Sequence, residues 1–321
     1  MIVLGMDTSC DDTSAGCING NNILSNIVLS QVLHSEYGGV IPELAARDHI
    51  KQISNIVDRA IDKVGLKNIS GIGVTFGPGL TGSLLVGLSF AKSLSYALSI
   101  PFYGVNHIEA HIFSLFIEHE IEYPFIALVV SGGHTELIIV EEKGKYKCIG
   151  TTLDDAAGEA FDKVSKMLGL SYPGGQIIEE IAKSGIPTAI NFPRADVPGY
   201  NFSFSGLKTA VLYYLKSQKS EVRSQKSNIA ASFQEAVVDS LIAKLIKAAT
   251  DFKIKRVGIV GGVASNIRLR QKLKNTGIDA YFPNPKLCTD NGVMVAMCAN
   301  FYLDKCIFSP YNLRVSSSAS L

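Results

Sequence analysis

The chain has almost no net charge, no closely spaced cysteine pair and no unbroken long apolar run, and each shortage removes a class of function. Its 30 Lys and Arg balance 29 Asp and Glu to a formal charge of +1. That excludes a chain-wide electrostatic footprint for nucleic acid, so any RNA partner must be met by a local basic patch or with the help of a second protein. The six cysteines, Cys10, Cys17, Cys148, Cys288, Cys298 and Cys306, include no Cys-x-x-Cys spacing. Free thiols in a reducing cytosol fit this pattern better than a disulfide scaffold. The longest apolar stretch, Gly82 to Val105, is interrupted by Lys92, several serines and Pro101. It reads as a buried helix followed by a strand, and no membrane span is expected. Met1 to Met6 is too short for the apolar part of a signal peptide and has no basic lead, so a cytoplasmic protein is expected. With 321 residues, 47% hydrophobic and 18% charged, the chain can build two full-sized cores.

What the sequence does have is His107-Ile108-Glu109-Ala110-His111. Two imidazoles four residues apart on a helix share a face, where one metal ion can hold both. A solvated or capping pair is the competing reading. The zinc-peptidase pattern His-Glu-x-x-His is not met, because Ile108 occupies the position of its general-base Glu and Glu109 points off the shared face. The third ligand is expected from Cys288-Thr289-Asp290-Asn291-Gly292, where Asp290 stands at the start of the last helix.

The strands follow a repeated plan. Ile2 to Met6 is a short buried run that ends in the polar turn Asp7-Thr8-Ser9-Cys10-Asp11-Asp12-Thr13 and resumes as a strand over Ser14 to Ile18. Phe125 to Val130 is a run of the same kind, ending in Ser131-Gly132-Gly133-His134-Thr135 and resuming over Glu136 to Val140. Strand, polar turn and strand, once in each half, predict a duplicated α/β fold with the two turns facing a cleft. Gly132 and Gly133 would let backbone amides approach a phosphate or carboxylate. By contrast, Gly77 to Ser83 is not a phosphate loop, since Ser83 replaces the lysine expected after Gly82.

Further candidates lie on helices. A helix is expected over Leu153 to Leu168 with Asp154, Asp155 and Glu159 near its start, where acids serve the helix dipole. Asp162, well inside it beside Phe161, has a ligand hydroxyl as a reasonable partner. Another helix is expected from Gln176. Lys216 to Ser227 reads as an exposed loop, and a core helix follows from Ile229. The strand Val257 to Val260 ends in Gly261-Gly262, as strands do where α/β folds receive ligands. Asn266 just beyond it either reads a nucleoside edge or caps the following helix.

Together Asp7-Thr8-Ser9-Cys10-Asp11-Asp12-Thr13, His107-x-x-x-His111, Val130-Ser131-Gly132-Gly133-His134-Thr135, Phe202-Ser203-Phe204-Ser205-Gly206-Leu207-Lys208, Gly261-Gly262-Val263 with Asn266, and Cys288-Thr289-Asp290-Asn291-Gly292 resemble the TsaD/Gcp family. These are tRNA threonylcarbamoyladenosine transferases, once labelled O-sialoglycoprotein endopeptidases, and the likeness is to their bacterial and organellar branch. It runs from about residue 2 to about 303. The family usually carries Glu where this chain has Asp7 and Asp12, and often Asp at the position of Glu179. The serine-rich tail after Leu313 matches nothing in the pattern. The resemblance implies an actin-like, Hsp70-like two-lobed fold with a ribonuclease-H-like sheet in each lobe. The lobes would be residues 1–105, joined by 290–321, and 106–289, the latter carrying the metal helix and most of the adenylate site. It also implies the reaction: threonylcarbamoyl-AMP donates its carbamoyl carbon to the exocyclic amine of the adenosine 3′ of the anticodon. Carried over residue by residue, His107, His111 and Asp290 match the metal ligands. Val130, Ser131, Gly132, Gly133, His134, Asp162, Gly175, Glu179 and Asn266 match the adenylate-binding positions.

Attack by a weakly nucleophilic aryl amine on a mixed anhydride needs charge stabilisation, which a divalent ion provides. Iron(II) is the ion expected and zinc the alternative, although the donor types alone do not choose. Asp11 is the candidate for accepting the amine proton, against the ordinary role of a turn aspartate as a backbone cap. Two rival classes are a metallopeptidase, which Ile108 disfavours, and a non-catalytic nucleotide-binding actin-like protein, which would have no use for the His pair. The family's bacterial branch implies the partners TsaB, an actin-like paralogue, and TsaE, an ATPase, with tRNA as substrate. A self-sufficient homodimer is the alternative. The helices Pro42 to Val64 and after Gly82 are the expected docking elements, against their burial within the lobe.

Overall fold

A computed structural model describes residues 1–31, 34, 39–217 and 222–321. The first sheet contains β1 (Ile2–Asp7), β2 (Asp12–Asn19), β3 (Asn22–Ser30), β4 (Gly71–Gly77) and β5 (Phe102–Asn106), in the order β3-β2-β1-β4-β5. The second contains β6 (Phe125–Val130), β7 (Thr135–Glu142), β8 (Lys145–Thr151), β9 (Arg256–Val260) and β10 (Asp279–Tyr281), in the order β10-β9-β6-β7-β8. Read from opposite ends the two orders are the same. So are the polarities: three antiparallel strands, then two added in parallel. The duplication therefore extends well beyond the strand-turn-strand units legible in the sequence. β8 and β10 escape a sequence reading because β8 is a largely exposed edge and β10 has three residues.

Parallel neighbours need crossovers, which helices supply. In the first sheet α1 (Pro42–Ile61) and α2 (Thr81–Leu98) serve β4 and β5, and a short α3 (His107–Phe113) follows β5 directly. In the second, α4 (Ala157–Met167), α5 (Gly174–Ala182), α6 (Ser205–Ser217) and α7 (Val222–Asp251) precede β9, and α8 (Ile267–Lys274) joins it to β10. A one-turn α9 (Pro285–Cys288) leads to α10 (Gly292–Leu303).

Contacts divide the chain into Met1–Glu120 with Lys286–Leu321, and Ile121–Pro285. The borders differ from the expected 105/106 and 289/290. The helix carrying the His pair belongs to the first unit rather than the second, because α3 packs on α10. α10 is apolar on every side and accordingly buried, from Gly292 to Ala299 and at Leu303. Burying each such Val, Leu or Met side chain contributes about 1.5–3 kcal/mol. It also comes unusually close to β1 and β2. A Cβ on Gly5 would stand 2.1 Å from the Gly292 carbonyl oxygen, and one on Gly292 would stand 2.2 Å from Gly16 N. That approach is open only to glycine, and it brings the Thr289–Asn291 turn to the β1 end of the sheet.

Other expectations shift. α4 starts at Ala157, leaving Asp154 and Asp155 outside it, because the Asp154 carboxylate accepts from Phe204 N, Ser205 N and Ser203 Oγ at the start of α6. α5 starts two residues before Gln176, and α1 stops at Ile61. The expected loop at 216–227 is helical at both ends, and its residues 218–221 lie outside the described residues. All six cysteines are free thiols. Among the described residues no helix is long and apolar enough to cross a membrane.

Candidate functional site

In the first unit β5 runs straight into α3, and Asn106 makes the turn. Its Oδ1 accepts from Ile108 N at 2.9 Å and Glu109 N at 3.3 Å, capping the helix. The cap presents His107 and His111 on one face, with ring centroids 4.7 Å apart. Asn291 fixes the opposing turn: its Oδ1 accepts from Met294 N at 3.0 Å and its amide donates to the Thr289 carbonyl at 2.8 Å. Asp290, held between them, places Oδ1 3.1 Å from His111 Nε2 and 3.5 Å from His107 Nε2. One ligand atom from each of the three residues lies within 4.8 Å of the others.

His111 is wholly buried, yet neither ring nitrogen has the geometry of a hydrogen bond, the close Asp290 oxygen included. Leaving a buried polar group unsatisfied costs about 1–3 kcal/mol, and a cation at Nε2 relieves it at that nitrogen. His107 is oriented from behind, its Nδ1 lying 3.3 Å from Oδ1 of the fully buried Asp7. Burial opposes a charge on His107, but the Asp290 and Asp7 carboxylates outweigh it and push its pKa up to about 9. The carboxylates thus call for a positive charge, and a proton competes with a metal for the place. Two imidazoles, one carboxylate and a carboxylate behind one imidazole are the donor set and backing of a divalent ion with open coordination positions.

Asp11 lies in the β1–β2 turn. The turn is tied to α1 through His49, whose ring nitrogens meet Thr13 Oγ1 at 2.7 Å and the Cys10 carbonyl at 3.0 Å. Next to Asp11, burial and then the Asp290 carboxylate push Asp12 up to about 7. Glu109 faces away from the His pair, and its carboxylate accepts from Tyr302 Oη at 2.6 Å. It is therefore not placed as a hydrolase base.

In the second unit the remaining candidates gather at the carboxyl ends of β6 and β9. Buried Val130 closes β6, and Ser131 N donates to the His134 carbonyl at 2.8 Å while His134 N donates to Ser131 Oγ at 3.2 Å. The tight turn leaves Gly132 and Gly133 exposed, and a Cβ on either would meet nothing within 4 Å. The same holds at Gly175. Gly261 belongs to the same end, since a Cβ there would stand 2.4 Å from the Val130 carbonyl oxygen.

Three other candidates are already committed to the protein. Asp162 accepts from Gly174 N at 2.7 Å, holding the first turn of α5. Glu179 accepts from Ile267 N, and burial pushes its carboxyl up. Asn266 takes the capping role left open by the sequence: Oδ1 accepts from Leu269 N at 3.0 Å, and the amide donates to Gln234 Oε1 at 2.8 Å. A ligand there would use the lone pair and amide hydrogen that remain. Sequence reasoning missed Asp7 and Asn106. The two available signals were a carboxylate ending a buried strand and an Asn preceding the His pair.

A family model described as TsaD, tRNA N6-adenosine threonylcarbamoyltransferase, matches residues 22–297. A protein of that name from Geotalea uraniireducens is 49% identical over 98% of this chain and 94% of its own length. Another, from Thermodesulfovibrio yellowstonii, is 53% identical over 92% and 93%. Among solved structures, full-length HypF in its phosphate- and nucleotide-bound form aligns with a TM-score of 0.63 at 18% identity, covering 96% of this chain and 56% of HypF. Component A of the Acidaminococcus fermentans (R)-2-hydroxyglutaryl-CoA dehydratase aligns with a TM-score of 0.57 at 15% identity, over 95% and 99%. At these identities the structural likeness speaks to the fold.

Proposed function

The chain belongs to the TsaD family of tRNA N6-adenosine threonylcarbamoyltransferases, and from that premise we propose which of its residues carry the transfer. The reaction is acyl transfer to tRNA: the adenosine exocyclic amine attacks the carbamoyl carbon of threonylcarbamoyl-AMP, the bond from that carbon to the phosphate oxygen breaks, and AMP leaves. His107, His111 and Asp290 hold a divalent ion, iron(II) in preference to zinc. Bound there, such an ion would supply charge stabilisation for the developing oxyanion and the departing phosphate. Asp7 keeps the His107 ring turned toward the ligand position. Gly132, Gly133 and Gly175 leave room for the adenylate and offer backbone amides, with Val130, Ser131, His134, Asp162, Glu179 and Asn266 framing it. Asp11 takes the amine proton. The observation that carries the metal assignment is the buried His111 ring, which has no hydrogen bond of its own beside Asp290.

The near-zero net charge supports help from TsaB and TsaE, because counterion release supplies much of tRNA affinity. Both expected docking helices bury one face in the first core, and Ile50 on α1 and Leu85 and Tyr96 on α2 remain exposed. That leaves surface for an actin-like partner or for a second copy. Free thiols and the family's substrate fit the cytoplasm. Incubating the purified chain with threonylcarbamoyl-AMP and tRNA, with and without TsaB and TsaE, tests the assignment. Modified tRNA only with the partners supports it, modification by the chain alone favours the homodimer, and cleavage of casein without tRNA modification overturns it.

A further inference from the structure

The residues after α10 form a strap that the first unit is shaped to receive. Ser309 N donates to the Phe102 carbonyl at 2.9 Å, and Ser309 Oγ accepts from Gly104 N at 2.9 Å. Tyr311 packs on Phe102 with ring centroids 5.4 Å apart, and its hydroxyl lies 2.9 Å from Ser95 Oγ. Leu313 and Val315 join the core, and the Leu313 carbonyl accepts from Lys92 Nζ at 2.5 Å. Next the strap crosses the end of β4, where Ser316 N donates to the Phe76 carbonyl at 2.9 Å. It ends at α3, where the Asn106 amide donates to the Ala319 and Ser320 carbonyls at 3.5 and 3.3 Å.

Two positions in the sheet give up a side chain for this path. A Cβ on Gly77 would stand 2.0 Å from the Ser316 carbonyl oxygen, and one on Gly104 would stand 2.3 Å from Leu313 Cδ2. Asn106, only 7% exposed, couples the strap to the helix, since its Oδ1 caps α3 while its amide holds the tail. A seven-residue helix is marginal by itself, so its orientation is set by what it packs on and by its cap.

We propose that residues 313–321 are a positioning element for the metal-binding helix, holding Asn106 and through it the directions of His107 and His111. This rests on the metal assignment above. If docking of the strap strengthens metal binding, bound metal must strengthen docking of the strap by the same factor.

Amide hydrogen exchange of the full chain with and without Zn²⁺ reads that coupling without any substitution. Slower exchange over both α3 and residues 313–321 is expected. Two variants extend the test: truncation after Asn312, and Leu313→Ser with Val315→Ser. Each is expected to bind Zn²⁺ about tenfold more weakly in a chelator competition, the lower end of the range for groups that support metal ligands, with unchanged circular dichroism. Slowing confined to α3, or unchanged Zn²⁺ affinity in folded variants, overturns the inference. Absence of Zn²⁺ binding by the parent chain overturns the metal assignment, and this inference with it. Should neither variant fold, the exchange result on the parent decides.

Discussion

His111 in the first unit and Gly133 in the second serve opposite building plans. Around His111 the chain assembles side chains: it is buried, Asp290 stands beside it, and Asp7 backs its partner His107. Around Gly133 the chain withholds them, and a Cβ at 132, 133 or 175 would meet open space. The polar side chains nearby, Asp162, Glu179 and Asn266, are occupied in holding helix starts. A small ion needs donor atoms fixed within tenths of an ångström, which is why the cluster of locked side chains is the place proposed for it. An adenylate needs space and backbone donors, which is why the gap with a rigid rim is the place proposed for it.

The largest effect that would break this contrast is at His111. His111→Ala is expected to abolish metal binding and lower transfer by about 10³-fold or more, the scale of a lost transition-state charge stabiliser. Because neither ring nitrogen makes a hydrogen bond, the loss in stability should be only that of the cavity, about 1–3 kcal/mol. Metal analysis, turnover and a thermal melt of the same preparation check all three. Retained activity in a metal-free variant would remove the ion from the reaction.

A smaller effect separates the second plan from a plain hairpin. Gly133→Val adds a side chain where no protein atom lies within 4 Å and φ is not in the left-handed region, so stability should change by less than about 0.5 kcal/mol. Adenylate affinity should nonetheless fall by about tenfold or more, since the valine fills the space that the ligand needs. Calorimetric titration with AMP checks this. Equal affinity would mean that the open space serves nothing.

The same contrast explains what could be read from the sequence. Donor types at helical spacing mark His107 and His111, and repeated strand-turn-strand units mark the duplicated sheets. Asp7 could not be paired with His107 because the two are 100 residues apart and meet only through the β1–β5 sheet. The sequence leaves Asn266 open between a nucleoside edge and a helix cap, because it does not show Gln234, 32 residues away, as its neighbour. The border before His107 was misplaced for a related reason. The seat of α10 on β1 and β2, which puts it where α3 packs, depends on glycines at 5, 16 and 292, and their meaning emerges only when strand and helix touch.

The smallest predicted effect concerns how the rim in the second unit is kept rigid, and charge does that work. Glu235 on α7 accepts from Arg268 Nε at 2.7 Å, Arg268 Nη2 at 2.9 Å and Lys272 Nζ at 2.5 Å, all on α8, the helix that Asn266 caps. The Arg268 bonds, with Lys272 behind them, hold the Glu235 carboxyl down from the ordinary 4.5 to about 2. A carboxyl depressed in the folded state contributes stability that is fully present above its unfolded value and lost as pH falls toward the folded one. Glu235→Gln should therefore be less stable than the parent above about pH 5. The size should be about 1–2 kcal/mol, discounted because the Arg268 side chain is 38% exposed. The difference should shrink steadily as pH is lowered from 5 to 2, with no counterpart change at the His107 end of the chain. Paired urea titrations across that range measure it. A difference independent of pH would mean that α8 is held by packing rather than by its charges.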